Sequence, residues 1–207
     1  MNPIVAAGLL ALACTAGSFR AHAQEVSKPV LLVAAPGLEG QFGQTTLVAV
    51  PVGDRHFGLI LNRVTGVKLS TLFPGHAPSE KVAEPVYFGG PVMNEAVLAV
   101  LRRNPGKAAL PLFGDLFVTV SAEAIDRIIE ETPNEARYFV GFVGWQAGEL
   151  AAEIARGFWY VAEPEPGLVF RPDTAGMWEE LVMLHGKSRR GHMRTSAQSE
   201  YNRARED

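Results

Sequence analysis

The sequence predicts one α+β domain with a mixed β-sheet, on three observations. Its 207 residues are of single-domain length. Its apolar strands come in runs, with helices between only some of them, which does not fit a strict βαβ alternation. One stretch, Tyr138 to Gly157, passes from a buried strand through a glycine turn into an amphipathic helix.

Val30 to Ala35 is an apolar strand stopped by Pro36-Gly37, and Leu38 to Gln44 is a loop. Thr45 to Val52 alternates and is β-branched, and His56 to Leu61 returns after Gly53-Asp54. The two predict a hairpin with a loop longer than the tightest kind. Lys68 to Phe73 predicts one helical turn, and the proline-rich His76 to Pro85 predicts loop. Val86–Phe88, Ala96–Arg102 and Leu116–Val120 are strands. Ser121 is an N-cap with Glu123 in the first turn, opening a helix to Glu131 whose apolar face is Ile125, Ile128 and Ile129.

Tyr138 to Val143 reads as a strand buried on both faces. Gly141 leaves a strand position bare, as where another backbone lies against it, and Gly144 suits the sharp turn that follows. From Gln146 the period is helical, with Ala147, Leu150, Ala151 and Ile154 on one face and Gly148 inside the first turn. Phe158 to Ala162 is a strand, and Glu163 to Pro172 an extended loop. Thr174 is the N-cap candidate for a last helix, with Trp178, Leu181, Val182 and His185 toward the core and Gly186 at its end.

Residues 1–23 read as a signal peptide: Ile4 to Ala16 is apolar and Ala21-His22-Ala23 is a cleavage signal. The expected mature chain is an α+β domain over residues 24–185 with a disordered basic tail over 186–207, exported to the periplasm or secreted. It stays cytoplasmic if the signal does not function. Cys14, the one cysteine, leaves a lipoprotein signal open as an alternative. Cleavage after Ala23 would leave no thiol for a disulfide or for catalysis.

The formal net charge is −3; loss of Arg20 with the leader makes it −4. The tail carries Lys187, Arg189, Arg190, Arg194, Arg203 and Arg205 against Glu200, Glu206 and Asp207, a net of +3, so the body carries −7. An acidic body does not point to nucleic acid, and the tail reads as a solubilising extension more readily than as an arm for an acidic surface.

Four blocks resemble the YqgE/AlgH family of bacterial proteins. They are Leu32 to Pro36 with Phe42 and Thr45; Gly58 to Arg63; Tyr87 to Val92; and Gly141 to Leu150 with Glu153 and Trp159. The resemblance spans about Val30 to His185. It implies a partly closed, bifurcated β-sheet surrounded by helices, and no established reaction. Members often carry a putative-transcriptional-regulator label and are generally cytoplasmic. The chain departs from the usual pattern at Val64 (usually proline), Gln44 (usually basic) and Glu149 (usually glutamine).

No catalytic constellation stands out. The corner from Gly144 to Gly148 resembles a phosphate loop in outline, but no Gly-Lys-Ser/Thr follows. It resembles a nucleophile elbow in shape, but Trp145 or Gln146 stands where Ser or Cys is needed. None of the five histidines has metal-ligand spacing, so no metal and no cofactor is expected. Glu149 and Glu153 share a helix face, as a solvated face or as an acid–base pair acting with Arg63. Phe88-Gly89-Gly90-Pro91 is a tight turn or an anion-binding nest, and Asn62 closes a turn or, with Arg63, holds an anion. The candidate ligand-binding set is Asn62, Arg63, Gly89, Gly90, Trp145 and Gly148, with no catalytic residue assigned. The leading expectation is a non-enzymatic protein binding a small ligand or a protein partner, with a regulator or an unrecognised hydrolase as alternatives.

Overall fold

The computed structural model describes residues 26–186; the signal peptide, Cys14 and the basic tail beyond Gly186 lie outside the described residues. Ten strands form one branched sheet. In chain order they are β1 (Val30–Ala34), β2 (Thr46–Val52), β3 (Arg55–Ile60), β4 (Val64–Lys68), β5 (Pro85–Phe88), β6 (Val92–Leu101), β7 (Ala109–Pro111), β8 (Phe117–Thr119), β9 (Ala136–Trp145) and β10 (Trp159–Ala162). Five helices accompany them: α1 (Leu69–Leu72), α2 (Ala122–Glu131), α3 (Glu149–Ala155), α4 (Pro166–Val169) and α5 (177–186).

The main path runs β10-β1-β2-β3-β9-β6-β8-β7 and is antiparallel at every step. The branch lies at β9. Its residues Val143–Trp145 pair with β3, while Phe139 and Val140 pair with β5, which runs parallel to β9 and carries β4 outside it. β6 holds the other edge along the strand. This curled, forked sheet is the α+β architecture the sequence implies.

Gly141 makes the fork possible. Its φ is +68°, a conformation that costs any other L-residue about 1–2 kcal/mol. A Cβ there would stand 2.2 Å from the Gly90 oxygen, and a Cβ on Gly89 would stand 2.2 Å from the Gly141 oxygen. One on Gly90 would meet the Phe142 carbonyl carbon at 2.3 Å. Two glycine backbones therefore touch where a third strand enters, as a bare strand position suggests.

The same residue changes which way β9 faces. Before it, Phe139 lies in the inner core with Leu59, Leu98 and Val100, while Tyr138 and Val140 pack outward with α2. After it, Phe142 packs on the inner core, while Val143 and Trp145 join the outer cluster that holds Leu150 of α3. Strict alternation would have reversed those two faces. On β6 the register shifts between Val92 and Val97, opposite this bulge, with Met93 also at positive φ (51°). The inner core is closed by Leu112, Phe113 and Leu116, by Val169 of α4, and by Met177, Leu181 and Val182 at α5.

Several local expectations need correction. Val52 pairs with Arg55, so the β2–β3 turn has two residues, with Gly53 at φ 64° in the way primed turns require. The strand β9 runs on through Gly144 to Trp145, and the left-handed turn residue is Gly148, which caps α3 rather than sitting inside it. Residues 77–81 form a 3-10 turn and α4 interrupts the expected loop before Pro172; both begin beside prolines that preset helical φ. The short edge strands β4 and β7 take their form from pairing rather than from propensity. Helix α5 starts at residue 177, so Thr174 belongs to the preceding turn, where its carbonyl accepts from the Met177 N–H. Ser121 does cap α2, accepting from the Ala124 N–H.

Two glycines at nearly the same φ should respond differently. Gly141→Ala is expected to destabilise by at least about 3 kcal/mol, since the methyl meets backbone. Gly148→Ala, with nothing within 4 Å of its Cβ, should lose only about 1–2 kcal/mol. Urea unfolding of both variants measures the difference; equal losses would remove the backbone contact as the cause.

Candidate functional site

The fork draws four of the six sequence candidates to one seam. The Ile60 N–H donates to the Gly89 oxygen, the Phe88 N–H to the Arg63 oxygen, and the Gly89 N–H to the Val140 oxygen. The Gly89 donor is thereby engaged by the sheet, which favours the tight turn over the anion nest. Asn62 closes the loop before β2: its Oδ1 accepts from the Thr46 N–H (2.9 Å) and its Nδ2 donates to the Gln44 oxygen (2.9 Å). Arg63 reaches the Gly43 oxygen at 3.3 Å, and burial holds its guanidinium pKa below the usual value.

Trp145 and Gly148 belong to a second cluster around α3. The Trp145 ring covers Gly58, where a Cβ would stand 2.7 Å from it. Its indole N–H donates to Glu153 Oε2 at 2.9 Å, and the Trp159 indole N–H donates to the same oxygen at 2.8 Å. Both tryptophans are buried. Glu149 Oε2 accepts from the Gln146 N–H. A glutamine at 149 could accept that bond through its amide oxygen, so the chain's departure there keeps the contact. The two carboxylates thus hold the strand–helix corner together, and Arg63 bonds elsewhere.

An apolar hollow lies at the end of the curled sheet, and among the six candidates only Trp145 lines it. It holds about 430 Å³ and runs between β2, β3 and β9 on one side and β6, β7 and β8 on the other. Val50, Phe57, Val118 and Phe142 form walls, and Arg55, His56 and Gln146 supply the polar side chains. The Phe57 and Phe142 rings meet at 5.2 Å between centroids. Gly144 borders the cleft in an extended strand, and a Cβ on it would find only ordinary contacts, the nearest at 3.6 Å to Phe142. Val52, Val92, Leu110 and Val120 line the same cleft and are exposed. Such a cluster of exposed apolar side chains marks a binding surface more often than isolated ones do. Composition along single strands does not disclose it, because the walls come from six segments.

Sequence reasoning also passed over Arg137. It is 1% exposed and donates through Nε and Nη2 to Glu84, both at 2.9 Å, and through Nη1 to the Val169 and Arg171 oxygens. The Tyr87 ring lies 4.3 Å from its guanidinium carbon. Burial raises the Tyr87 phenol's pKa, with the Arg137 charge opposing that rise. An arginine inside an apolar strand was the available signal, since such a charge needs a buried partner. Among the described residues, no three His, Cys, Asp or Glu side chains gather as a metal site. No helix there is long and apolar enough to cross a membrane.

Glu153→Ala should destabilise by about 2–4 kcal/mol, because it leaves two indole donors without their acceptor. Glu153→Gln keeps an acceptor oxygen and should lose less than about half of that. Thermal unfolding of the pair checks this; similar losses would mean that packing, not the shared acceptor, dominates.

Comparison with known proteins accords with this geometry. The solution structure of AlgH from Pseudomonas aeruginosa superposes with a TM-score of 0.61 at 22% identity, covering 75% of this chain and 87% of that one. The crystal structure of protein DIP2367 from Corynebacterium diphtheriae gives 0.61 at 24%, covering 75% and 85%. At these identities the likeness establishes the fold. A UPF0301 protein of Chlorobium limicola is 30% identical over 162 residues, 76% of this chain and 85% of its own length. One of Streptomyces avermitilis is 32% identical over 161 residues, 73% and 83%. The AlgH-like family model matches residues 31–190. The chain therefore belongs to the AlgH-like family, whose function is not established.

Proposed function

We propose that this protein is a non-enzymatic binding protein whose ligand enters the apolar cleft at the end of the curled sheet. The observation that carries this is the cleft itself, with apolar walls from both arms of the sheet and a few polar groups. Ligand pockets commonly have this size and composition. The seam at Asn62, Arg63, Gly89 and Gly90 is the weaker candidate, since the bonds of its side chains and of the Gly89 N–H go to backbone. Glu149 and Glu153 likewise have structural partners, which weighs against the hydrolase alternative. The regulator alternative draws no support from the acidic body.

Export remains part of the proposal, on the strength of residues 1–23 alone. Cell fractionation with N-terminal sequencing is expected to find a periplasmic or secreted chain starting at Gln24. A cytoplasmic, uncut chain would reject export and restore weight to the regulator reading.

A thermal-shift screen across metabolite classes tests the cleft. A ligand that binds the native state alone raises Tm. Gly144→Leu, placed where a side chain projects without meeting backbone, should abolish the shift while leaving the unliganded Tm within a few degrees. A ligand whose shift survives Gly144→Leu but disappears in Asn62→Ala would place the site at the seam instead.

A further inference from the structure

We infer that the cleft is built for an amphiphile with one anionic head, the apolar part lying along the walls and the head meeting Arg55. This rests on the cleft being the binding site, and it adds the chemical class of the ligand.

The charge distribution argues for an anionic head. No Asp or Glu lines the cleft, although the body of the protein carries a net −7. Arg55 is the one cationic side chain other than histidine on its lining. It is exposed and makes no ion pair among the described residues, not even with Asp54 beside it in the turn. Arg102, Arg103, Arg137 and Arg171 each pair with a carboxylate, whereas Arg63, Arg127 and Arg156, like Arg55, have no ion pair among the described residues, and of these four only Arg55 lines the cleft. His56 is committed through one ring nitrogen: Nε2 lies 2.7 Å from the Val26 oxygen, which can only accept, so the buried and unpartnered Nδ1 of the neutral ring is an acceptor and offers an anion no donor. A planar guanidinium at the edge of an apolar hollow suits an oxyanion, carboxylate or phosphate, which it can grip through two parallel bonds.

The walls argue for an apolar body. Phe57 and Phe142 pack against each other on one side, and the bare Gly144 adds space beside them. Leu110 and Val120, 58% and 60% exposed, extend the apolar surface.

Calorimetric titration of the purified protein with dodecanoate, dodecanol and dodecyltrimethylammonium, each below its micellar concentration, tests the inference. Dodecanoate is expected to bind one to one, tighter than dodecanol, with the cation weakest. Arg55→Ala should weaken dodecanoate about fivefold and leave dodecanol unchanged. Arg55→Lys should keep most of the preference, and Gly144→Leu should weaken dodecanoate and dodecanol alike. Equal binding of dodecanoate and dodecanol, indifferent to Arg55→Ala but sensitive to Gly144→Leu, would overturn the anionic head while upholding the cleft. Failure of all three to bind would overturn the amphiphile, and the cleft would then stand or fall on the wider ligand screen. Two other results would also overturn it: a dimer in sedimentation that Leu110→Asp dissolves, or sedimentation with phosphatidylglycerol vesicles without dodecanoate binding.

Discussion

The structure depends on a contact between bare backbones, where Gly89 and Gly90 lie against Gly141 and Phe142. No side chain fits there, so three strands can meet around β9. A strand has two edges, and β6 occupies one along most of β9. β3 and β5 must share the other, and they divide it on either side of Gly141. The bulge at Gly141 also resets the alternation of β9. Its outer face can therefore present Tyr138 and Val140 toward α2 and then Val143 and Trp145 toward α3. Without that reset, one of the two helices would face the wrong side of the strand.

Two polar anchors secure what the fork leaves open. Glu153 ties Trp145 and Trp159 together, joining the end of β9, helix α3 and β10 through one oxygen. Arg137 ties the loop carrying Glu84 to the backbone around α4. A buried charge is costly unless its donors are satisfied, and four hydrogen bonds plus the Tyr87 ring achieve that here. The dependence is one-sided: without Glu84 the buried guanidinium lacks two of its acceptors, whereas Glu84, 44% exposed, reaches solvent. These anchors leave the far end of the curl open between β3 and β7, and the cleft lies there.

The helix at Ala122–Glu131 was readable because Ser121, Glu123 and three isoleucines give the same answer locally. Strands β1, β2, β3 and β10 were readable because each is a short apolar run with its own stop signal. The edge strands β4 and β7 were not, since Val64–Lys68 and Ala109–Pro111 become strands only through their partners. At the candidate site, the glycine blocks were recognised as a place of close backbone approach. The cleft was missed because residues as separate as Val50 and Val118 share it. Asn62 and Arg63 attracted notice as polar residues after a strand, and their side chains turn out to serve loop closure.

The sequence by itself determined the α+β class, most of the elements and the four motif blocks, since propensity, capping and glycine spacing act within a few residues. It also indicated family membership, because those blocks carry the fold's tightest contacts. Tertiary structure alone decided how β9 divides its edge, which side each face takes after Gly141, and which polar groups remain unengaged. Those depend on which backbone stands opposite, a relation between residues about fifty positions apart, such as Gly90 and Gly141. The location of the cleft belongs to the same class of facts. A hollow is the space left between segments once packing and hydrogen bonding are satisfied, and no single segment encodes it.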